Sequence, residues 1–592
     1  MAEREPLTIV EIDLEQCSLT YGAGACPAVL GVTGVHKCFG GYRHCQAQAA
    51  FSRVTKTVRF AQNVSGLPDA VHIYPCLQSV STRSAEINLS GVDPTSTALG
   101  NRAKVTVKLL DFADSDLSID PYATERRSGA AQADGVGYDP MERSTFLRKM
   151  KVRFPFWNAR ALRVLSGYVG DAVEDFTVRH YVISDWTGPD AGGACAITAK
   201  DVFDLTEDDK AVIPTLSRGK LLADIDADVV SLTLTPETVG EEYDASGRIC
   251  VGSEVMTFTR TGDVLALIRG VDGTDASAHS AGDLAQQCVR FERQTLPMAL
   301  YRILTEGDAG PIPTDWIDLP AWEDEAVGWL GGIEATSTIT APKSRRKLAG
   351  ELCQLGAMVW PDDIARTIRF RANRPLGPGE TAYPLTDDGS FIEATGSIAS
   401  DTDERISRVF FWHGMMDVTK DPTGGENTKR GAVAWNQASE GALQYGESMI
   451  QEIATRWFGT AGNDSAASTI AERLGSRYQD TPASYSGSVD YADAKHLSLG
   501  KICLVTTRLI VDETGAPLPT LMQVRKIAEA TRGHRSAISL QTFTFAGRFG
   551  FWMLATDPDY DTATDEERDE GAYWIDEAAA DFGDGRTPYV WF

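Results

Sequence analysis

The chain has 592 residues, of which 43% are hydrophobic and 23% charged, a composition that excludes a disordered or fibrous protein and predicts about four domains. The 83 acidic residues outnumber 56 Lys and Arg residues, and the resulting net charge of −27 argues against tight binding to nucleic acid or anionic lipid. No run of 18 apolar residues occurs and the acidic start lacks signal-peptide features, so we expect a chain made in the cytoplasm with no membrane-spanning segment.

The first notable feature is a glycine-rich stretch that contains Cys17, Cys26, Cys38 and Cys45. In a reducing compartment, clustered thiols more often hold metal or perform chemistry than form structural disulfides. Four thiolates are the ligand count of a tetrahedral zinc site and of a cubane iron–sulfur cluster. The close CxxC pairs of zinc ribbons and the CxxCxxC run of bacterial ferredoxins are both absent.

From these residues alone, four interpretations stay open: an iron–sulfur cluster, a zinc site, a disulfide, and small buried side chains without a ligand. His36 and His44 offer alternative nitrogen ligands within the same stretch. Widely spaced ligands on glycine-rich loops suit a larger group whose sulfurs accept hydrogen bonds from backbone amides.

Strand patterns dominate the first half of the chain. The segments "RAKVTVKLLDF" and "RHYVISDWTG" alternate apolar and polar residues, and so does "RTIRFRANRP" further along. The region from "GRICVGSEVMTF" to "DLAQQCVRF" predicts short strands joined by Thr-Gly-Asp and Asp-Gly turns, which indicates a separate all-β module. After it, "QTLPMALYRILTEG" predicts a helix with Thr295 as N-cap, Gly307 as its stop, and one apolar face formed by Leu296, Leu300, Ile303 and Leu304.

The second half mixes helices and strands. The segment "KSRRKLAGELCQLGAMVWPDDIARTIRFRANRP" predicts a helix ended by Gly356 and then a hairpin turning at Pro361, Asp362 and Asp363. Two more helices are predicted in "QYGESMIQEIATRWFG" and "DSAASTIAERLGSRYQ", and strands resume with "SYSGSVDYADA", "KICLVTTRLIV" and "SLQTFTFAGRFG". The last residues are acidic and carry Tyr573, Trp574, Tyr589, Trp591 and Phe592, which predicts an arm that docks on a partner or a neighbouring subunit.

Sequence signatures of common enzymes are missing. No His is followed by Glu, which excludes the HExxH zinc motif, and Gly219-Lys220 and Gly500-Lys501 lack the Ser or Thr that completes a phosphate-binding loop. We therefore expect no enzyme and assign no catalytic residues. The alternatives are an iron–sulfur redox enzyme and a cell-wall hydrolase.

Long patterns, rather than one motif, resemble a known family. The segments "VEIDLEQCSLTYGAGACPAVLGVTGVHKCFGGYRHCQ", "RFPFWNARALRVLSGYVG", "RGVDGTDASAHSAGD" and "IRFRANRPLGPGETAYPL" resemble tail hub proteins of long-tailed bacteriophages and prophages, and also the hub of gene transfer agents. The similarity extends over nearly the whole chain.

The resemblance implies a mainly β, multidomain protein with α+β parts, in which β-barrel hub domains form a threefold ring at the end of the sixfold tail tube. It implies a four-iron, four-sulfur cluster held by Cys17, Cys26, Cys38 and Cys45, with zinc as the alternative metal and Cys76 as a possible substitute ligand. The remaining cysteines, Cys195, Cys250, Cys288, Cys353 and Cys503, are expected to be core residues.

The expected role is a virion structural protein that encloses a channel for tape-measure protein and for DNA, which passes without tight binding. The expected partners are two further copies, the distal tail protein ring and central tip or fibre proteins. The predicted domains are a four-cysteine segment at 1–53, a barrel at 54–204, the all-β module at 205–291, an α+β domain at 292–395, a second barrel with helices at 396–555, and the arm at 556–592.

Overall fold

The protein is described by a computed structural model covering residues 5–62, 72–83, 86–89, 99, 103–206, 211–307, 311–331, 333–377, 380–459, 463–531, 535–545, 549–550, 564 and 590–591. Strands dominate and form several sheets, with helices concentrated in the middle and second half, so the predicted mainly β, multidomain fold with α+β parts is confirmed. The predicted C-terminal arm lies outside the described residues, apart from Thr564 and Val590–Trp591. Across the described ranges, no helix has the length and hydropathy to span a bilayer.

The first unit is a seven-stranded antiparallel sheet in the order β2-β1-β5-β6-β7-β4-β3. Two backbone hydrogen bonds join Tyr74, just before β3, to β2: the Tyr74 N–H donates to the Arg59 carbonyl, and the Ala61 N–H donates to the Tyr74 carbonyl. They bring the two edges of the sheet together and nearly close a barrel. Its elements are β1 (Pro6–Cys17), β2 (Arg53–Ala61), β3 (Leu77–Arg83), β4 (Lys104–Leu110), α1 (Ala123–Ser128), α2 (Phe146–Arg153), β5 (Ala161–Tyr168), β6 (Thr177–Thr187) and β7 (Ala194–Lys200).

Alternation along the barrel strands separates the core from the outer surface. On β4, the side chains of Val105, Val107 and Leu109 are fully buried inside the barrel, and Lys104 and Lys108, which alternate with them, are exposed. β1 pairs with both β2 and β5, so the strand that leads to the first cysteine is part of the barrel.

The second unit is an antiparallel all-β module with its own apolar core, built around Ile249, Met256, Phe258 and Leu265. The predicted Thr-Gly-Asp hairpin turn is confirmed: Gly262 has a left-handed backbone between the paired strands that flank it. Asp272 and Gly273 are also left-handed, but they lie in a long connection between two strands that do not pair with each other in the described ranges. The short strand β8 (Val212–Ile213) precedes the module and pairs outside it, with Lys343–Ser344. The module's strands are β9 (Lys220–Leu221), β10 (Ser231–Thr235), β11 (Ser246–Val251), β12 (Glu254–Thr261), β13 (Val264–Ile268) and β14 (Gln286–Thr295).

The third unit is α+β and contains the largest buried cluster. The predicted first helix is confirmed: it follows Thr295, whose hydroxyl accepts a hydrogen bond from the Met298 N–H at 3.3 Å, and Leu300 and Ile303 are fully buried. Its elements are α3 (Leu296–Thr305), α4 (Leu319–Trp329), β15 (Glu334–Ile339), β16 (Lys343–Ser344), α5 (Arg345–Cys353), β17 (Ala357–Asp362) and β18 (Thr367–Ala372). The helix-then-hairpin prediction is also confirmed, with the turn after Asp362; β14 extends from the module to pair with β15.

The last unit contains a six-stranded sheet in the order β19-β25-β26-β27-β24-β20 and a three-stranded sheet, β22-β21-β23, on which α7 packs. Its elements are β19 (Tyr383–Thr386), β20 (Ser397–Ser400), β21 (Arg408–Met415), β22 (Thr428–Trp435), α6 (Gln437–Glu440), β23 (Ile450–Ala454), α7 (Asp464–Tyr478), β24 (Ala483–Asp490), α8 (Tyr491–Ala494), β25 (Ile502–Thr506), β26 (Thr520–Thr531), β27 (Arg535–Thr542), β28 (Phe549–Gly550) and β29 (Val590–Trp591).

One helix prediction in this unit was wrong. The segment "QYGESMIQEIATRWFG" contains the strand β23, whereas "DSAASTIAERLGSRYQ" forms α7 as predicted. β23 pairs in parallel with β21, so long-range strand pairing decided the conformation of a short segment that had a helical apolar spacing.

Candidate metal centre

The cysteine stretch is attached to one end of the barrel. Cys17 is the last residue of β1, and its N–H donates to the Gly40 carbonyl oxygen at 2.8 Å, which holds the loop carrying Cys38 against the end of the strand. Gly41 packs so closely on the Arg153 carbonyl oxygen at the end of α2 that a Cβ would collide with it. The segment directly after the third cysteine is therefore held at a site fixed by the barrel and by α2.

Local turns position the other two thiols. The Cys26 N–H donates to the Ala23 carbonyl at 3.1 Å, and the Cys45 N–H donates to the Tyr42 carbonyl at 3.1 Å. Cys26 and Cys38 pack against a small buried cluster formed by Tyr21, Ala28, Tyr122 and Ala131. We call residues 17–52 and 117–145, which contain these loops and this cluster, the cysteine lobe.

Cys38 is electrostatically coupled to the other three predicted thiols. Burial raises the pKa of the Cys38 thiol, the amide of Gly40 lowers it by donating to the sulfur, and negative charge on Cys45, Cys17 and Cys26 raises it again. All four thiols are free and partly buried.

A buried ion pair supports the third cysteine's loop, and the sequence did not reveal it. Arg126 in α1 binds Asp120 at 2.6 Å, and both side chains are inaccessible to solvent. The same guanidinium donates to the carbonyls of Lys37, at 3.2 Å, and Cys38, at 2.9 Å, and stacks 3.7 Å over the Phe39 ring. Charge, hydrogen bonds and stacking thus fix the backbone on both sides of the Cys38 sulfur.

The donor set matches a group that prefers sulfur. The four partly buried thiols, the amide donated to the Cys38 sulfur and the adjacent cation together suit an anionic metal–thiolate centre. No group of three or more His, Cys, Asp or Glu side chains in the described ranges is drawn together tightly enough to enclose a metal ion.

The alternative ligands lie elsewhere or already have partners. The His44 Nε2 contacts the Val152 carbonyl at 2.9 Å, and the His36 Nδ1 contacts the Lys37 carbonyl at 3.1 Å. Cys76 is buried in the barrel core, where burial and the nearby Asp111 and Cys195 raise its pKa to about 12. The five cysteines predicted to be core residues are all buried, as expected: Cys195, Cys250, Cys288, Cys353 and Cys503.

Comparisons with known proteins give distant structural similarities only. No protein-family model matches the sequence, and no curated protein matches it. The 43 kDa tail protein of prophage MuSo2 from Shewanella oneidensis is 11% identical, with 78% of this chain and 94% of that chain covered and a TM-score of 0.34.

Two further solved structures are similar to the same degree. Prophage tail protein gp18 from Listeria monocytogenes is 12% identical, with 65% and 86% of the two chains covered and a TM-score of 0.28. A tail protein from Neisseria meningitidis is 9% identical, with 78% and 96% covered and a TM-score of 0.30. Similarities at this level do not establish a function for this chain.

Proposed function

We propose that this chain is a structural hub subunit of a phage tail tip. Three copies would form a ring that joins the sixfold tail tube to the threefold tip and encloses the channel for tape-measure protein and DNA. The distal tail protein ring and the central tip or fibre proteins would be its neighbours in the virion. The proposal includes no catalytic activity.

The observation that carries the proposal is the cysteine lobe. The sequence resemblance singles out four cysteines near the N-terminus, and two observations support it: Cys17 ends a barrel strand, and the Cys38 thiol is electrostatically coupled to the other three.

We further propose that Cys17, Cys26, Cys38 and Cys45 hold a four-iron, four-sulfur cluster. When bound, such a cluster links separate chain segments and supplies folding free energy. The cysteine lobe needs that contribution, since its own buried apolar cluster comprises few side chains. Arg126 and the Gly40 amide then place positive charge and a hydrogen-bond donor beside the thiolates.

The metal proposal is tested on the full chain purified without oxygen. We expect brown protein with about four irons and four sulfides per chain and a broad visible absorbance that dithionite bleaches. Changing Cys38→Ser should remove most of the iron. The matched control is Cys76→Ser, a buried cysteine outside the lobe, which should keep the iron content. One zinc per chain with no iron, or equal iron loss in both variants, would contradict the cluster.

The tail role has an independent test. Electron cryomicroscopy of particles carrying a tagged copy of this chain should show three copies at the distal end of the tube, since a closed ring contains a fixed small number of subunits. Particles in which the tag is absent, or in which six copies surround the tube, would refute the hub assignment whatever metal the protein holds.

A further inference from the structure

One face of the barrel carries unbalanced positive charge. Arg83, Lys104 and Lys200 lie directly opposite one another on the adjacent strands β3, β4 and β7. Lys108 lies four residues after Lys104, on the same outward face of β4. Like charges in directly opposed positions destabilise a sheet, so a cation row is unfavourable unless anions neutralise it.

Little within the described structure neutralises this cationic face. The strands β3, β4 and β7 contain no Asp or Glu, and Lys200 binds Asp204 at 2.8 Å. Over the part of the chain that the structure describes, Arg83, Lys104 and Lys108 are exposed and form no ion pair.

The opposite side of the same barrel shows the usual solution. Arg163 on β5 binds Glu11 and Asp13 on β1, each at 2.7 Å, and Arg59 on β2 binds Glu11 at 2.6 Å. Cations there have acidic partners on the neighbouring strand. The contrast indicates that the anion matching the cationic face comes from outside these strands.

The chain itself contains a segment of opposite charge. Residues 551–589 carry 12 acidic and two basic side chains, together with Tyr573, Trp574 and other aromatic residues. The segment leaves from β28 and returns to β29, which pair with each other. Both of its ends are therefore held at one place.

That place is within reach of the cationic face. Just beyond β3, the Ile87 N–H donates to the Arg525 carbonyl in β26 at 3.0 Å, and β26 pairs with β27. Ser539 pairs with Lys526, and β28 begins ten residue steps further along the chain, a span of at most about 35 Å. A 39-residue loop fixed at both ends extends up to roughly 65 Å, which exceeds that separation.

We propose that the cationic face formed by Arg83, Lys104, Lys108 and Lys200 binds the acidic segment 551–589 of the same chain. Tethering gives the segment a high effective concentration at the face, which favours it over a separate acidic partner. The hydroxyls of Ser81, Thr106 and Thr198, which form the neighbouring row, add hydrogen-bond donors for carboxylates. This inference does not depend on the tail role or on the metal.

Zero-length carbodiimide cross-linking of the full chain, followed by mass spectrometry, tests the proposal. We expect Lys104 and Lys108 to cross-link to carboxylates of segment 551–589 in 0.1 M NaCl. The yield should fall at least about fivefold in 1 M NaCl, where the screening length shortens from about 10 Å to about 3 Å. The matched control is Lys429, an exposed lysine on β22, which should cross-link to the segment only at background level.

Charge reversal provides a second measurement. Arg83→Glu together with Lys104→Glu should reduce the Lys108 cross-links at least about fivefold, and Lys429→Glu should leave them unchanged. Mixing isotope-labelled and unlabelled copies distinguishes cross-links within one chain from cross-links between two copies. Cross-links mainly between copies, yields at Lys104 and Lys108 equal to that at Lys429, or loss of the cross-links to an equimolar duplex DNA would each overturn the proposal.

Discussion

Changing Glu254→Gln removes the charge at the centre of a buried network in the all-β module. The Glu254 carboxylate accepts two hydrogen bonds from Arg269, both at 2.7 Å, and contacts the His279 Nε2 at 2.8 Å. The backbone amides of Gly270 and Ser277 each donate to it at 3.0 Å. One fully buried side chain therefore fixes the long turn between β13 and β14.

The lowered pKa of Glu254 and the cost of leaving Arg269 unpaired both give the loss of stability expected for the Glu254→Gln variant. Burial alone would raise the pKa of Glu254, but the hydrogen bonds from Arg269, Ser277, His279 and Gly270 outweigh it and lower the pKa from 4.5 to about 2. Lowering the pKa of Glu254 by that amount corresponds to about 3 kcal/mol of stability. Removing one partner of a buried ion pair typically costs about 3–5 kcal/mol, and the Gln variant leaves the Arg269 charge without its counterion.

The same numbers set the pH dependence. The folded-state pKa lies below the unfolded value, so the stabilisation is fully present above about pH 4.5 and is lost as the pH falls toward 2. The wild-type module should therefore lose about 3 kcal/mol more than the Glu254→Gln variant between pH 5 and pH 2. Above pH 5, the difference between the two proteins should be constant.

The assay must report on the module within the full chain. Urea titrations followed by a short deuterium pulse, with peptides from residues 246–288 analysed by mass spectrometry, give an unfolding curve for this unit at each pH. The control is Glu237→Gln, an exposed carboxylate in the same module with no ion pair over the described residues. If the two variants differed by less than about 0.5 kcal/mol at pH 7, the buried network would not stabilise the module as we argue.

Three further substitutions test the packing of the fold. Leu300→Ala in α3 removes a fully buried side chain and should lower the free energy of unfolding in urea by about 2–5 kcal/mol. The control Val327→Ala, at a position 67% exposed, should lower it by less than about 0.5 kcal/mol. Equal effects would place α3 outside the core. Gly129→Ala should destabilise the cysteine lobe strongly, as measured by hydrogen exchange, because a Cβ would collide with the Gly135 carbonyl oxygen. The control is Gly135→Ala, since the Gly135 backbone is also left-handed but has open space around it; this variant should cost only about 1–2 kcal/mol. Asp120→Asn should cost about 3–5 kcal/mol in the same lobe by leaving Arg126 buried without its counterion, and unchanged exchange at Lys37 and Cys38 would show that the pair does not hold that loop.

Local sequence was sufficient where the controlling interactions are local. The cap at Thr295 and the apolar face of α3 lie within one helix, so their spacing predicted the element correctly. The tight turns of the all-β module depend on residues such as Gly262 and Gly273, whose conformational freedom is visible in the sequence. Failure came at β23, where pairing with a strand some 40 residues away overrode the local pattern.

The candidate site shows the same division. Sequence selected the four cysteines, because clustered thiols in a reducing compartment are chemically unusual. It did not reveal Arg126 and Asp120, which lie about 85 residues after Cys38 and reach it only because α1 packs on the cysteine lobe. The sequence did not reveal the cationic face either, since Arg83, Lys104 and Lys200 become neighbours only when three strands pair in one register. Sequence by itself therefore determined residue chemistry and local conformation. The tertiary structure determined which distant charges meet, because strand register and helix packing bring together segments whose local sequences do not indicate that they are neighbours.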